Sequence, residues 1–219
     1  MKREEFDEAI AILRREYPKW DAPAKKSDYG YHRTPFTITI SVTLSFRTKD
    51  EVTQAAGERL FALADTPEKM VTLSPETIEE AIYPVGFYRK KARTILDISH
   101  YLREHCGGEV PDTEAELLKI KGIGPKAAAI ILERAFGQNV VAVDVHVHRI
   151  LNRWGFLDTK TPEESYERLK TLLSDDEKKG LNRLLVAFGQ VICKPVKPLC
   201  AECPVYRLCT AAESRTNHV

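Results

Sequence analysis

Apolar residues recur along most of this chain at spacings of three and four, the signature of helices with one buried face. Between residues 3 and 16, Phe6, Ala9, Ile10 and Leu13 share one such stripe. Thr66-Pro67, Ser74-Pro75 and Thr161-Pro162 each set a capping hydroxyl ahead of a proline, the order that opens a helix. Glu164 after Thr161 and Glu177 after Ser174 have the spacing of capping boxes, the second ahead of a helix running to about Val191. Gly107, Gly137 and Gly155 fall where helices should stop. The pattern predicts an all-α protein. One segment pulls the other way: Thr37–Leu44 alternates apolar with polar and is β-branched, as a strand would be. Only Val140–Val143 could partner it, and a lone strand leaves its backbone unpaired. Phe36, Ile40 and Leu44 also fall on one helical stripe, so the segment is read as helix.

The 219 residues suffice for one large domain or two small ones, and 43% hydrophobic with 30% charged residues is a globular composition. No apolar run approaches the ~20 residues of a membrane span, and Met1-Lys2-Arg3-Glu4-Glu5 leads into mixed charge, which disfavours secretion. Thirty-three Lys and Arg against 32 Asp and Glu give a net charge of +1. That excludes a uniformly basic coat but not a local nucleic-acid-binding patch.

Four of the five cysteines cluster as Cys193-x6-Cys200-x2-Cys203-x5-Cys209, with prolines at 195, 198 and 204 keeping the loop out of helix. In a reducing compartment such a cluster reads as metal binding before disulfides. Tetrahedral zinc and an iron–sulfur cluster both take four thiolates. A single continuous wrap, rather than two separated knuckles, favours a bulky [4Fe–4S] cluster. Cys106 stands apart and reads as a buried thiol.

Residues 117–136 read as a short helix, Gly122-Ile123-Gly124, and a second helix with Pro125 near its start. Glycines there admit backbone angles closed to other residues and leave amides uncovered, and those amides with the helix's positive end suit a phosphate oxygen. Ile123 would tie the hairpin to the core. Lys119, Lys121 and Lys126 flank it, so a DNA backbone grip that reads no sequence is expected. Lys126 lies in the first helical turn, where the macrodipole disfavours a cation and favours the neutral amine needed for nucleophilic attack. Asp144, after Val140-Val141-Ala142-Val143, is a natural helix N-cap whose second oxygen could serve a substrate. A carboxylate and an amine together could activate a nucleophile and steady a cationic sugar-like transition state. His146 and His148 read as packed or supporting residues and not as metal ligands.

Taken together these motifs resemble the endonuclease III family of helix-hairpin-helix DNA glycosylases. The likeness runs from Pro35-Phe36 through Leu44-Ser45, Thr48-Lys49-Asp50, Gly86-Phe87-Tyr88, Gly108–Pro111, Gly122–Ala127, Ala135-Phe136-Gly137 and Ala142–His146 to the four cysteines. The resemblance implies two helical domains flanking a DNA-binding cleft. One would be a six-helix barrel over residues 29–137, carrying the hairpin. The other would join 1–28 to 138–219 around a [4Fe–4S] cluster on Cys193, Cys200, Cys203 and Cys209. It implies a bifunctional glycosylase and AP lyase removing oxidised pyrimidines. Lys126 would attack C1′ to form a Schiff base, Asp144 would assist base loss, and β-elimination would cut the strand. The damaged base must leave the stack, and Arg47 and Phe87 would enter the duplex in its place. Arg47 departs from the glutamine common at that position, and Phe46 beside it reads as core packing. Hairpin residues Lys119, Lys121, Gly122, Ile123 and Gly124, together with His146, Lys194 and Lys197, are the further expected DNA contacts. Arg89, Lys90, Lys91 and Arg93 crowd one helix start as local positive charge. The implied partner is damaged double-stranded DNA, bound by a monomer in a prokaryotic cytoplasm. A monofunctional adenine or mismatch glycosylase would lack the lysine, and a lesion-binding protein without activity would need neither lysine nor aspartate.

Overall fold

The computed structural model describes residues 1–26 and 34–212, and the expected domain boundary at 28–29 lies outside them. No strand occurs among the described residues. Helices α1 (Arg3–Glu16), α2 (Pro23–Lys26), α3 (Pro35–Ser45), α4 (Asp50–Leu63), α5 (Pro67–Met70), α6 (Pro75–Ile82) and α7 (Tyr88–His105) lead into the hairpin. There follow α8 (Glu114–Leu117), α9 (Pro125–Phe136), α10 (Val145–Arg153), α11 (Pro162–Leu172), α12 (Asp175–Lys178) and α13 (Leu181–Val191). The chain divides into two compact units, Ser27–Val140 and Met1–Lys26 with Val141–Val219.

In the unit Ser27–Val140, α3 explains why its sequence looked like a strand. It is buried on every side: Phe36, Ile40, Val42 and Leu44 join the core, while Thr37, Thr39, Ser41 and Thr43 are buried too. A helix enclosed all round needs no polar face. The threonines return their hydroxyls to the preceding turn, Thr39 Oγ1 to the Pro35 carbonyl at 2.8 Å and Thr43 Oγ1 to that of Thr39 at 3.1 Å. Thr34 caps the helix by accepting the Thr37 amide. Helices α4, α6, α7 and α9 pack Leu60, Ile78, Ile95, Ile98 and Leu132 into the same core.

In the other unit, the four residues predicted for the first helix are the buried ones of α1, and Phe6 stacks on Phe156 at 4.0 Å. Thr66, Ser74 and Thr161 cap α5, α6 and α11 as expected. Two details differ. Glu164 reaches the Lys160 amide rather than that of Thr161, so its capping box is incomplete. The run after Ser174 is two helices, because Gly180 adopts φ +67° between α12 and α13. Val141, Ala142 and Val143 are a buried, non-helical lead-in to α10, and Asn182 donates to the Ala142 carbonyl at 2.6 Å.

Candidate functional site

The hairpin joins α8 to α9 and is pinned from inside. Ile123 is 5% exposed within the core, and its amide donates to the Ile120 carbonyl at 3.0 Å, so it is not among the free donors expected from sequence. Gly122 sits at φ +100°, and a Cβ there would meet Thr94 Cγ2 at 2.5 Å. Gly124 differs: its φ is −98°, and nothing lies within 4 Å of where a Cβ would stand. The amides of Gly124, Lys126 and Ala127 have no acceptor among the described residues. They form an open row of donors at the positive end of a twelve-residue helix. Lys119 pairs with Glu116 at 2.5 Å, which raises its ammonium above the ordinary lysine range, and Lys121 reaches Asp97 at 3.5 Å.

Lys126 is half-buried, with its Nζ 5.4 Å from the centroid of the Phe46 ring. Phe46 therefore does two things: it packs against the core, as sequence suggested, and it seats the candidate nucleophile by a cation–π contact that sequence did not reveal. Next to it, Arg47 stands at φ +54° and its guanidinium lies 5.6 Å from the ring of Phe87. Phe87 is itself at φ +59° and 62% exposed. With Lys197 at φ +50°, these are the only non-glycine residues at positive φ among those described. All three are expected DNA contacts. A non-glycine residue at such an angle carries a backbone cost that its surroundings must offset.

Lys91 corrects the sequence reading. Arg89, Lys90 and Arg93 are exposed, but Lys91 is buried at 8%, and its Nζ donates to the Leu44 carbonyl (2.7 Å), the Phe46 carbonyl (2.6 Å) and Thr48 Oγ1 (3.1 Å). Burial pushes its ammonium down to about 8, while the three acceptors favour keeping the proton. The signal was available: Lys91, Ile95, Ile98 and Leu102 form one helical stripe facing the core.

In the other unit, Asp144 is the N-cap of α10. Its Oδ1 accepts the amides of His146 (2.8 Å) and Val147 (2.9 Å), and Oδ2 accepts from none of the described residues. The His146 ring packs against Arg149 (3.2 Å) and the Gly189 backbone, and His148 Nδ1 lies 2.7 Å from Ser165 Oγ. Arg149 and Arg153, one turn apart, hold the start of the cysteine loop. Arg149 donates to the Cys193 carbonyl at 2.9 Å, and Arg153 donates to the Lys194 and Pro195 carbonyls and, at 3.4 Å, to Cys193 Sγ.

Cys193, Cys200, Cys203 and Cys209 line one cavity with Trp154 and Phe188, and none forms a disulfide. Among the described residues no three His, Cys, Asp or Glu side chains stand close enough to share one metal ion. Sulfurs ringing a cavity suit a cluster with one cysteine per iron. Burial pushes the Cys203 thiol up to about 12 and raises that of Cys209, against amides of Val205, Ala211 and Ala212 aimed at the two sulfurs. Such amides stabilise thiolates once a cluster supplies positive charge. Lys194 is half-buried on this loop and Lys197 exposed, while Cys106 is half-buried instead of buried.

Residues 40–175 match the model of the HhH-GPD superfamily of base excision DNA repair proteins. Endonuclease III of Thermotoga maritima is 47% identical over 169 residues, covering 77% of this chain and 79% of that protein. Endonuclease III-like protein 1 of Mus musculus is 37% identical, over 95% of this chain and 73% of its own length. A solved structure of a trapped endonuclease III–DNA covalent intermediate with an estranged adenine superposes at a TM-score of 0.87, with 30% identity and 99% of both chains covered.

Proposed function

Because this chain belongs to the HhH-GPD superfamily of base excision DNA repair proteins, with endonuclease III enzymes as its relatives, we propose that Lys126 is the nucleophile of a DNA glycosylase and AP lyase. The observation that carries this is a half-buried lysine in the first turn of α9, beside a row of open backbone amides. The amides take a phosphate oxygen of damaged double-stranded DNA, and the amine meets the sugar of an extruded nucleotide. The N–C1′ bond forms as the glycosidic bond breaks, with the departing base taking the bonding electrons and then a proton. The C1′–O4′ bond then breaks, O4′ takes a proton as the amine loses one, and a Schiff base on the opened sugar results. It acidifies C2′, and loss of a C2′ proton drives β-elimination, in which the 3′ phosphate leaves with the C3′–O bonding electrons. Asp144, through the Oδ2 left open by capping, accepts the Lys126 proton or steadies the cationic sugar. Oxidised pyrimidines are the substrate class, and the enzyme acts as a monomer. Among the described residues no helix is long and apolar enough to cross a membrane.

The deciding experiment is incision of a panel of lesion duplexes with and without borohydride. Covalent protein–DNA product with oxidised pyrimidines supports the reading. Base release without any trapped product would move the protein to the monofunctional class, and binding without base release would make it a lesion sensor.

The four cysteines fit a [4Fe–4S] cluster, which would organise residues 193–209 and hold Lys194 and Lys197 toward phosphates. Purified protein should be yellow-brown with absorbance near about 400 nm, and Cys203→Ser should lose the colour and unfold at lower temperature. A colourless protein holding one zinc per chain would refute the assignment.

The two hairpin glycines should part company. Gly122→Ala forces a side chain to φ +100° against Thr94, at a penalty of about 1–2 kcal/mol or more, and should lower the melting temperature by roughly 4 °C. Gly124→Ala meets open space in the protein and should melt like wild type. It should nonetheless weaken duplex binding about tenfold, because its methyl group occupies the phosphate's approach. Equal binding by wild type and Gly124→Ala would show that no phosphate docks there.

A further inference from the structure

Two loops of the unit Ser27–Val140 present Arg47 and Phe87, and both residues are in a backbone conformation that side chains rarely adopt. Something must hold them there. The loops abut closely: a Cβ on Gly86 would lie 2.6 Å from the Arg47 carbonyl oxygen. The Gly86 amide donates to Thr48 Oγ1 at 3.2 Å. That same oxygen accepts from Lys91 Nζ, which also takes the carbonyls of Leu44 and Phe46 where α3 ends. One buried ammonium thus closes the end of α3, fixes the residues on either side of Arg47, and shares an acceptor with the residue before Phe87.

We propose that Lys91 is a positioning residue for base extrusion: through the Leu44, Phe46 and Thr48 oxygens it holds Arg47 and Phe87 as one preassembled plug, ready to fill the space a flipped nucleotide leaves. The proposal rests on the reading of Arg47 and Phe87 as the residues that enter the duplex. Preassembly explains why a lysine is buried here. An uncharged side chain would leave the Leu44 carbonyl without a donor and take one of two donors from the Phe46 carbonyl and from Thr48 Oγ1, and the loop would relax away from its strained angles. A flexible plug would have to be ordered during each extrusion, which slows that step. The Phe46 ring packs against the core, and any effect of the clamp on the seat of Lys126 would lower the rates on both substrates and leave their ratio unmoved.

The test compares Lys91→Met, Thr48→Val, Arg47→Ala and Phe87→Ala in the full-length protein on two substrates. One is a duplex with a single thymine glycol beside 2-aminopurine. The other is a single strand with one abasic site, which needs Lys126 chemistry but no extrusion. The expected result is a fall in the duplex-to-single-strand rate ratio of about tenfold for Lys91→Met and about threefold for Thr48→Val. The 2-aminopurine fluorescence rise that reports unstacking should slow in parallel. General loss of structure would lower both rates together and leave the ratio unmoved. If Lys91→Met does not fold, Thr48→Val decides alone. A wild-type ratio in a folded Lys91→Met or in Thr48→Val overturns the proposal. If Arg47→Ala and Phe87→Ala also keep the wild-type ratio, the plug reading itself is what has failed.

Discussion

Lys126→Gln should leave no covalent product when borohydride is added to the enzyme and a lesion duplex, whereas wild type should be captured in full. Only a primary amine can form the imine that borohydride reduces, so the effect is all-or-none and not graded. Strand cutting should fall by at least about a thousandfold, the scale seen when a covalent nucleophile is removed. Folding should survive. Lysine and glutamine have similar helix propensities, and the lost contact with the Phe46 ring is worth about 0.5–1 kcal/mol at a partly exposed site, or a few degrees of melting temperature. Affinity for an abasic-site duplex should change only a few-fold, because the amides of Gly124 and Ala127 remain. Binding without capture would thus separate the amine's chemical role from its charge. Capture by the variant would point to a different amine, with exposed Lys121 on the same hairpin the first to suspect.

How far the sequence carried the reading depended on whether each residue's role is written in local spacing. The helix stops at glycines, the proline-led caps, the hairpin and the four cysteines are all local, and each was legible. Helix α3 was ambiguous because a helix buried all round has no polar face, so threonines that bond to their own previous turn look like alternate positions of a strand. The break at Gly180 was hidden because the apolar period continues across it. Lys91 was misassigned because four basic residues in five suggest a charged surface, while the helical period already turned one of them inward. Phe46 was read correctly as packing, but its contact with Lys126 joins residues eighty positions apart and leaves no mark in spacing. Those long-range contacts are where the site departs from a list of motifs. Each fixes a backbone or ring beside a residue that sequence had already singled out.

Asp144→Asn should separate catalysis from capping. The carboxylate serves as the N-cap of α10, with both amides directed to one oxygen. Asparagine caps helices about as well as aspartate, because its carbonyl oxygen can accept the same two amides. The melting temperature should therefore hold, and the cysteine loop gripped by Arg149 and Arg153 further along α10 should keep its place. What asparagine cannot do is take a proton or put negative charge beside a cationic sugar. Removal of a general base or electrostatic partner of this kind lowers rates by about 10²- to 10⁴-fold, and base excision should fall within that range. Cutting at a preformed abasic site should suffer less, since the aldehyde reacts with an amine without a leaving base. Asp144→Ala should add a stability loss of about 1 kcal/mol to the same catalytic defect. If asparagine and alanine lowered excision only in proportion to lost stability, the carboxylate would be a cap and nothing more. An unchanged melting temperature with a hundredfold loss of excision would instead show that the oxygen left open by capping is the one the substrate meets.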